Sequence, residues 1–290
     1  MRLTPLDPWI AAKVGQDGGR ADRLAIEAYH LGKLRKTLRL IRARSAFYRQ
    51  HLAAAPQELA TLADLGHFPF TTAEDIRDQP LRCLCVSQGE ISRVVTLSST
   101  GTTGEPKRLY FTASDQELTL DFFHVGMSTL VGPGDRVLIL LPCETPGGVG
   151  DLLATALERL GAAGLRHGPV RDVAETLEVM IRKRVNSLVG IPTQVLALAR
   201  YQDGNGRRVP LQLKSALLTT DYVSPAIVAA VEGAWNCQVY NHYGMTEMGL
   251  GGGVECQARH GYHLREADLY FEIIDPDTGQ SVPEGEQGEV

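Results

Sequence analysis

A chain of 290 residues, 43% apolar and 22% charged, can bury a large core as one big domain or two ordinary ones. Its net charge of −5 offers no basic surface to nucleic acid or to an anionic membrane. No apolar run approaches the roughly 20 residues of a membrane span, no secretory leader is read at the start, and five thinly spread cysteines argue for reduced thiols in a cytoplasmic protein.

Leu24, Leu31, Leu34, Leu38 and Ile41 recur at helical spacing and predict a helix over about 20–52. Its other face carries Arg35, Lys36, Arg39, Arg42 and Arg44, where a solvated surface is a commoner role than contact with an acidic partner. Residues 68–75 read as a turn entering a short capped helix, and Cys83-Leu84-Cys85 alternates like a strand. Residues 93–97 and 107–112 read as two strands. Between them runs Ser98-Ser99-Thr100-Gly101-Thr102-Thr103-Gly104-Glu105-Pro106-Lys107. Glycines let backbone N–H groups converge, hydroxyls add donors, and the lysine adds a mobile cation, which suits a polyphosphate. A Ser/Thr/Gly linker is the alternative, but linkers do not usually join two strands so tightly. The stretch is not a Walker loop, because it lacks G-x-x-x-x-G-K-[ST].

Beyond it the pattern turns regular. Ser114 and Glu117 form a capping-box signature for a helix to about residue 130, and 132–135 is a turn. Strands are predicted at 136–141, near Leu165, at 187–191, 215–220 and 237–240. Helices alternate with them: one from 147–150 through Leu160, one capped by Asp172, one begun by Pro192, and one capped by Ser224 with proline following. The alternation predicts an α/β fold, a mostly parallel sheet flanked by helices, with ligands beyond the carboxyl ends of the strands. After Leu264 the character changes to a β-rich segment of short strands and turns, and Val290 falls in what reads as the start of another strand.

Asn241-His242-Tyr243-Gly244-Met245-Thr246-Glu247 leaves the strand ending at Tyr240. A flat ring, a glycine, a hydroxyl and a carboxylate in succession would serve base, phosphate and Mg²⁺, although an ordinary strand-to-loop turn has the same composition. Residues 255–263 gather zinc-ligand types, and Cys256 with His263 offers two of four tetrahedral positions, against an ordinary polar loop.

Taken together, SSTGTTGEPK at 98–107 and HYGMTE at 242–247 resemble the adenylate-forming acyl-CoA synthetase superfamily, and within it the phenylacetate–coenzyme A ligases. Supporting stretches are 68–78, 255–268 and 271–290, so the resemblance runs from about Phe47 onward. It implies the large N-terminal domain of such an enzyme: a helical lead-in at 1–66, a nucleotide- and acyl-binding α/β core at 67–254, and the start of a β-rich subdomain at 255–290. A ribose-binding aspartate motif and a small C-terminal domain with a catalytic lysine are expected after Val290.

The implied chemistry is ATP- and Mg²⁺-dependent activation of a small or aryl carboxylic acid to its acyl-adenylate, with coenzyme A as acceptor in the full-length enzyme. Carried onto this chain, Ser98, Ser99, Thr100, Gly101, Thr102, Thr103, Gly104 and Lys107 would cradle the β- and γ-phosphates. Tyr243, with Gly244 and Met245, would meet adenine, and Thr246 the α-phosphate. Glu247 would hold Mg²⁺, and His242 would stand near the carboxylate and α-phosphate. The stretch Leu218-Thr219-Thr220-Asp221-Tyr222, with Thr220 and Asp221 as its contacts, falls where relatives often read Gly-Ala-Glu against the adenine. The acid pocket is expected near 141–149 and 240–249, with Cys143, Glu144 and Thr145 making its entrance polar. Some relatives complete a zinc site with a downstream C-x-C, which gives the Cys256–His263 pair its interest. Transfer of the acyl or adenylyl group to a carrier protein or a deazaflavin is the alternative within the enzymes. A non-catalytic nucleotide- or acyl-binding module is the alternative outside them, if 290 residues is the natural length. No nucleic-acid or membrane partner is expected, and a homodimer is one assembly the reading allows.

Overall fold

The computed structural model describes residues 4–97, 106–202, 206 and 211–290. They form two compact units: one is Ser114–Arg265 with the N-terminal residues through Asp7, the other Pro8–Ala113 with Glu266–Val290.

The second unit starts within α1 (Leu6–Val14) and continues through α2 (Arg23–Arg44) and α3 (Ala46–His51). The predicted single helix over 20–52 is thus two. The break is Ser45, whose N–H still bonds Ile41 O while its Oγ accepts from Tyr48 N, so one residue closes α2 and caps α3. The buried stripe of α2 also differs from the leucine pattern: Ile26 and His30 are buried, whereas Leu24 is 79% exposed. Two cations of the basic face are not simply solvated. Arg35 donates to the carbonyls of Leu59 and Ala60, and Arg42 to those of Ala55, Pro56 and Gln57, fastening that loop along the helix.

Thr72 and Asp75 form a capping box opening α4 (Ala73–Asp78), as the sequence indicates. Residues 83–85 are a turn rather than a strand, and burial pushes both cysteine thiols up, so they stay protonated. The hairpin strands β1 (Ile91–Leu97) and β2 (Lys107–Thr112) pair antiparallel, Leu97 opposite Lys107. The C-terminal stretch returns to α2: Tyr29 donates to Ala267 O, His30 Nε2 lies 2.5 Å from Glu266 O, and Arg23 pairs with Glu266. Farther on, Ile274 makes isolated bridges to Ser281 and Glu289.

The first unit is a seven-stranded sheet with helices on both faces. Its elements are α5 (Ala113–Met127), β3 (Arg136–Leu140), α6 (Val149–Arg159), β4 (Ala163–Arg166), α7 (Val173–Arg182), β5 (Ser187–Gly190), α8 (Pro192–Arg200), β6 (Ser215–Leu218), α9 (Pro225–Trp235), β7 (Gln238–Tyr243), β8 (Gly253–Glu255) and β9 (Tyr262–Leu264). The strand order is β4-β3-β5-β6-β7-β8-β9, parallel as far as β7 and antiparallel beyond. The parallel strands read as nearly unbroken apolar runs because both faces are covered. On one face Leu138, Leu140, Leu188 and Leu218 pack with Leu177 and Met180 of α7, Val195 and Leu198 of α8, and Trp235 of α9. Side chains one residue along point the other way, toward α5 and α6.

Polar pins hold the sheet at its amino ends. Asp135 accepts from Gly132 N, Asn186 Nδ2 and Lys214 Nζ, while Asn186 Oδ1 takes the N–H of Arg136. Burial works against the Asp135 charge, yet the Lys214, Gly132 and Asn186 hydrogen bonds hold its carboxyl below the usual value. Buried Ser187 and Ser215 pair at 2.9 Å between β5 and β6. The helix caps at Asp172 and Ser224 form as expected. The box expected at Ser114 does not: α5 begins at Ala113, and Glu117 instead makes a bidentate pair with Arg159 of α6 at 2.6 and 2.8 Å.

Candidate active site

Beyond the carboxyl ends of β3, β5, β6 and β7 the first unit holds a cavity of about 350 Å³. Its walls come from the sheet face opposite α7–α9. Val189 and Leu217 rise from the sheet, Phe122, Phe123 and Met127 descend from α5, and Leu153 comes from α6. Leu141, Pro142 and Val149 close one side; Thr219, Thr220, His242, Gly244, Met245 and Thr246 bring the polar atoms. Among the described residues, none that lines it is charged at neutral pH, and the environment is that of a pocket for an apolar body with a few oriented polar groups.

The turn after β7 is tightly determined. Gly252 N bonds Tyr243 O at 2.9 Å and Leu250 N bonds Met245 O at 3.0 Å, so residues 243–252 fold back on themselves. Within the fold-back, Thr246–Met248 make one 3-10 turn, ended by Gly249 at φ +74°. Thr119 of α5 donates to Gly249 O at 2.9 Å and ties this turn to the helix that supplies the aromatic wall. The buried guanidinium of Arg265 stacks 5.3 Å from the Phe122 ring.

His242 is the most constrained polar group here. Its Nδ1 lies 2.8 Å from Thr219 Oγ1, across the ends of β7 and β6. Its Nε2 is sealed from water and has no hydrogen-bond partner among the described residues. Phe122 and Phe123 stand with ring centroids 6.3 Å from the imidazole. Burial drives the His242 pKa down to about 4, so the ring is neutral near pH 7 although part of the residue remains accessible.

The sequence-derived site residues fall into three groups. His242, Gly244, Met245, Thr246 and Thr220 meet at the cavity. Tyr243, Glu247 and Asp221 are close to it in sequence but are not among its lining residues: Tyr243 is half-buried with its ring 5.9 Å from Tyr262, while Glu247 and Asp221 are exposed, the latter accepting from Tyr222 N. Ser98, Ser99, Thr100, Gly101, Thr102, Thr103 and Gly104 lie outside the described residues, and Lys107 opens β2 in the other unit.

Cys143, Glu144 and Thr145 do not line the cavity, so its wall near Leu141 is less polar than expected. Phe122, Phe123 and Met127 were not signalled as site residues, the adjacent aromatics with Gly126 one turn on being the available hint, while Thr219 belongs to the 218–222 stretch expected against adenine. The zinc pair is not supported. Among the described residues no three His, Cys, Asp or Glu side chains come together to hold a metal. Cys256 is buried with Sγ accepting from Ala258 N, and Glu255 takes the N–H of Asn241.

Residues 60–290 match the family model described as AMP-binding enzyme. The chain belongs to that family. It is 30% identical over 280 residues to the phenylacetate-coenzyme A ligase of Thermus thermophilus, covering 92% of this chain and 61% of the relative. To the ligase of the same name from Pseudomonas putida it is 28% identical, over 98% of this chain and 64% of that one. The chain therefore spans less than two thirds of the length of these relatives. Its fold is like that of 2-hydroxyisobutyryl-CoA ligase solved in an open conformation with 2-HIB-AMP and CoA, at TM-score 0.79 and 21% identity, covering 92% of this chain and 65% of that one. The same ligase in the thioesterification state gives TM-score 0.80 at 22% identity, covering 92% and 59%.

Proposed function

We propose that this chain supplies the nucleotide- and acid-binding part of an AMP-forming acid–thiol ligase, which activates a carboxylic acid with ATP and, in the full-length protein, passes the acyl group to coenzyme A. The observation that carries this reading is the convergence of Thr219, Thr220, His242 and Gly244–Thr246 on one cavity whose remaining walls are apolar. Membership of the AMP-binding family over residues 60–290 and the similarity to phenylacetate-coenzyme A ligases support it. Residues 1–66, 67–254 and 255–290 are proposed as lead-in, binding core and start of the β-rich subdomain.

A carboxylate attacking the α-phosphorus meets dense negative charge, so catalysis rests on positioning and electrostatics. The acid's apolar body would fill the space between Phe122, Phe123 and Leu217, leaving its carboxylate toward the Thr246 end. Thr246 would donate its hydroxyl to the α-phosphate, and Gly244 admits close approach because it carries no side chain. Tyr243, Thr220 and Asp221 would border adenine, and the 98–107 loop with Lys107 would take the outer phosphates. Glu247, an exposed hard-oxygen donor on the 3-10 turn, fits Mg²⁺, whose chemistry when bound is to neutralise phosphate charge.

ATP–pyrophosphate exchange with a panel of carboxylic acids tests the reading. Acid-dependent exchange by the full-length protein supports it; exchange confined to long fatty acids would overturn the aryl or small-acid pocket, and ATP binding with no exchange for any acid would favour a binding module.

A further inference from the structure

Resting on the proposed acid site, one residue of its wall is smaller than the fold itself demands. Glycine is a poor helix former, so one buried within a helix is there for a reason. Gly126 is buried in the last turn of α5, and its backbone is helical rather than left-handed, so it does not serve to end the helix. Nor does a neighbour exclude a side chain. Among the described residues, and apart from its own helix backbone, a Cβ there would meet only Val254 Cγ1, at the ordinary contact distance of 3.5 Å. Gly190 and Gly251 differ: a Cβ on them would lie 2.9 Å from Val195 and 2.5 Å from the Phe122 ring, so packing alone explains both.

The space that a side chain at 126 would take belongs to the cavity. Gly126 and Val254 both line it, and Val254 is the register partner of His242 across β7 and β8. Phe123 and Met127, on the same helix, continue this wall with apolar surface. Bare backbone facing a buried valine makes a notch between α5 and β8, and only an apolar group fills it without losing hydrogen bonds to water. We propose that Gly126 is a specificity-determining residue: the notch receives the far end of the acid's apolar body, so its depth sets how long an acid the site accepts. The benzoate skeleton is then shorter than the site's best substrate. One methyl placed in such a pocket discriminates between homologues by about 10- to 200-fold.

ATP–pyrophosphate exchange by the full-length protein tests this with benzoate, phenylacetate, 3-phenylpropanoate, 4-phenylbutanoate and 5-phenylpentanoate, each one methylene longer than the last. The readout is the ratio of kcat/KM between the wild type's best acid and the acid one methylene shorter. Gly126→Ala should lower that ratio at least about tenfold, moving the optimum to a shorter acid. Val254→Ala widens the notch from its other side and should favour the next longer acid instead. The double variant should return toward the wild-type ratio, because the methyl removed faces the methyl added. Gly233→Ala, in the last turn of α9 and away from the cavity, should leave the ratio unchanged. A wild-type optimum at benzoate overturns the proposal and leaves the acid site standing. So does a Gly126→Ala variant, folded by circular dichroism, that keeps the wild-type ratio or loses every acid equally. Should that variant not fold, an unchanged ratio in Val254→Ala overturns the proposal by itself. If no acid supports exchange in the wild type, the acid site falls, and the proposal with it.

Discussion

The carbonyl oxygen of Leu250 occupies the space where a side chain on residue 244 would begin: a Cβ placed on Gly244 would lie 2.1 Å from it and 3.0 Å from His242 Cε1. Both obstacles are fixed, one being backbone within the folded-back turn and the other a ring held by Thr219. Gly244→Ala must therefore displace the turn rather than a flexible side chain. The expected outcome is a loss of about 1–3 kcal/mol of stability, as for other overpacked sites, together with weakened nucleotide binding. Denaturant unfolding and calorimetry read the two effects separately, and a variant matching wild type in both would show that the turn is slack.

Thr220 holds φ +76°, a conformation that a β-branched residue seldom adopts, and its side chain is exposed. Thr220→Gly relieves that strain and sacrifices little packing, so it should stabilise the protein by about 1 kcal/mol, roughly 2 °C in melting temperature. A lower melting temperature would mean that the hydroxyl or methyl contributes more than the backbone strain costs.

Because burial holds the His242 pKa at about 4 instead of 6.5, the folded state disfavours protonation that the unfolded state accepts. The resulting stability is fully present above pH 6.5 and is lost as pH falls from there toward 4, amounting to roughly 3 kcal/mol at most. Urea unfolding at pH 7, 6, 5 and 4 should show this slope, and His242→Phe should flatten it. An unchanged slope in the variant would assign the loss to other groups.

Lys107 begins β2 opposite Leu97, at the end of the Ser/Thr/Gly stretch. Lys107→Ala should weaken ATP binding at least about tenfold. Thermal midpoint should change little, because the side chain is not part of the apolar core. Undiminished ATP affinity by calorimetry would remove the loop from the nucleotide site.

Where local chemistry decides, the sequence was readable. Asp172, Ser224 and Thr72 cap the helices they precede, and the apolar runs at 136–140 and 187–190 form strands because nothing else could shield them. Where a residue's partner is distant, it was not. Glu117 had an equally good local use at a helix start, and a bidentate arginine 42 residues away took it. The cavity was half legible: the 242–246 stretch announced itself by composition and 218–222 by resemblance, but nothing near Phe122 says that the fold brings it to His242. Cys83 and Cys85 alternate like strand residues, yet no neighbouring strand exists among the described residues to pair with them.

The strand order has a consequence for how the chain acquires its shape during synthesis. β3 lies between β4 and β5, so one edge is paired soon after it is made, while the other waits for β5. About 50 further residues must emerge first, several seconds at ~5–20 residues per second. Throughout that interval a strand whose last four residues are buried in the finished protein presents an open, apolar edge. Nascent chains should therefore be most prone to self-association once β4 is complete and before β5 emerges, and slowing synthesis at low temperature lengthens that interval as well as weakening apolar attraction. Ribosome-arrested chains ending near residues 210 and 250, whose last few tens of residues are still inside the ribosome, offer the direct comparison, with the shorter the stickier of the two.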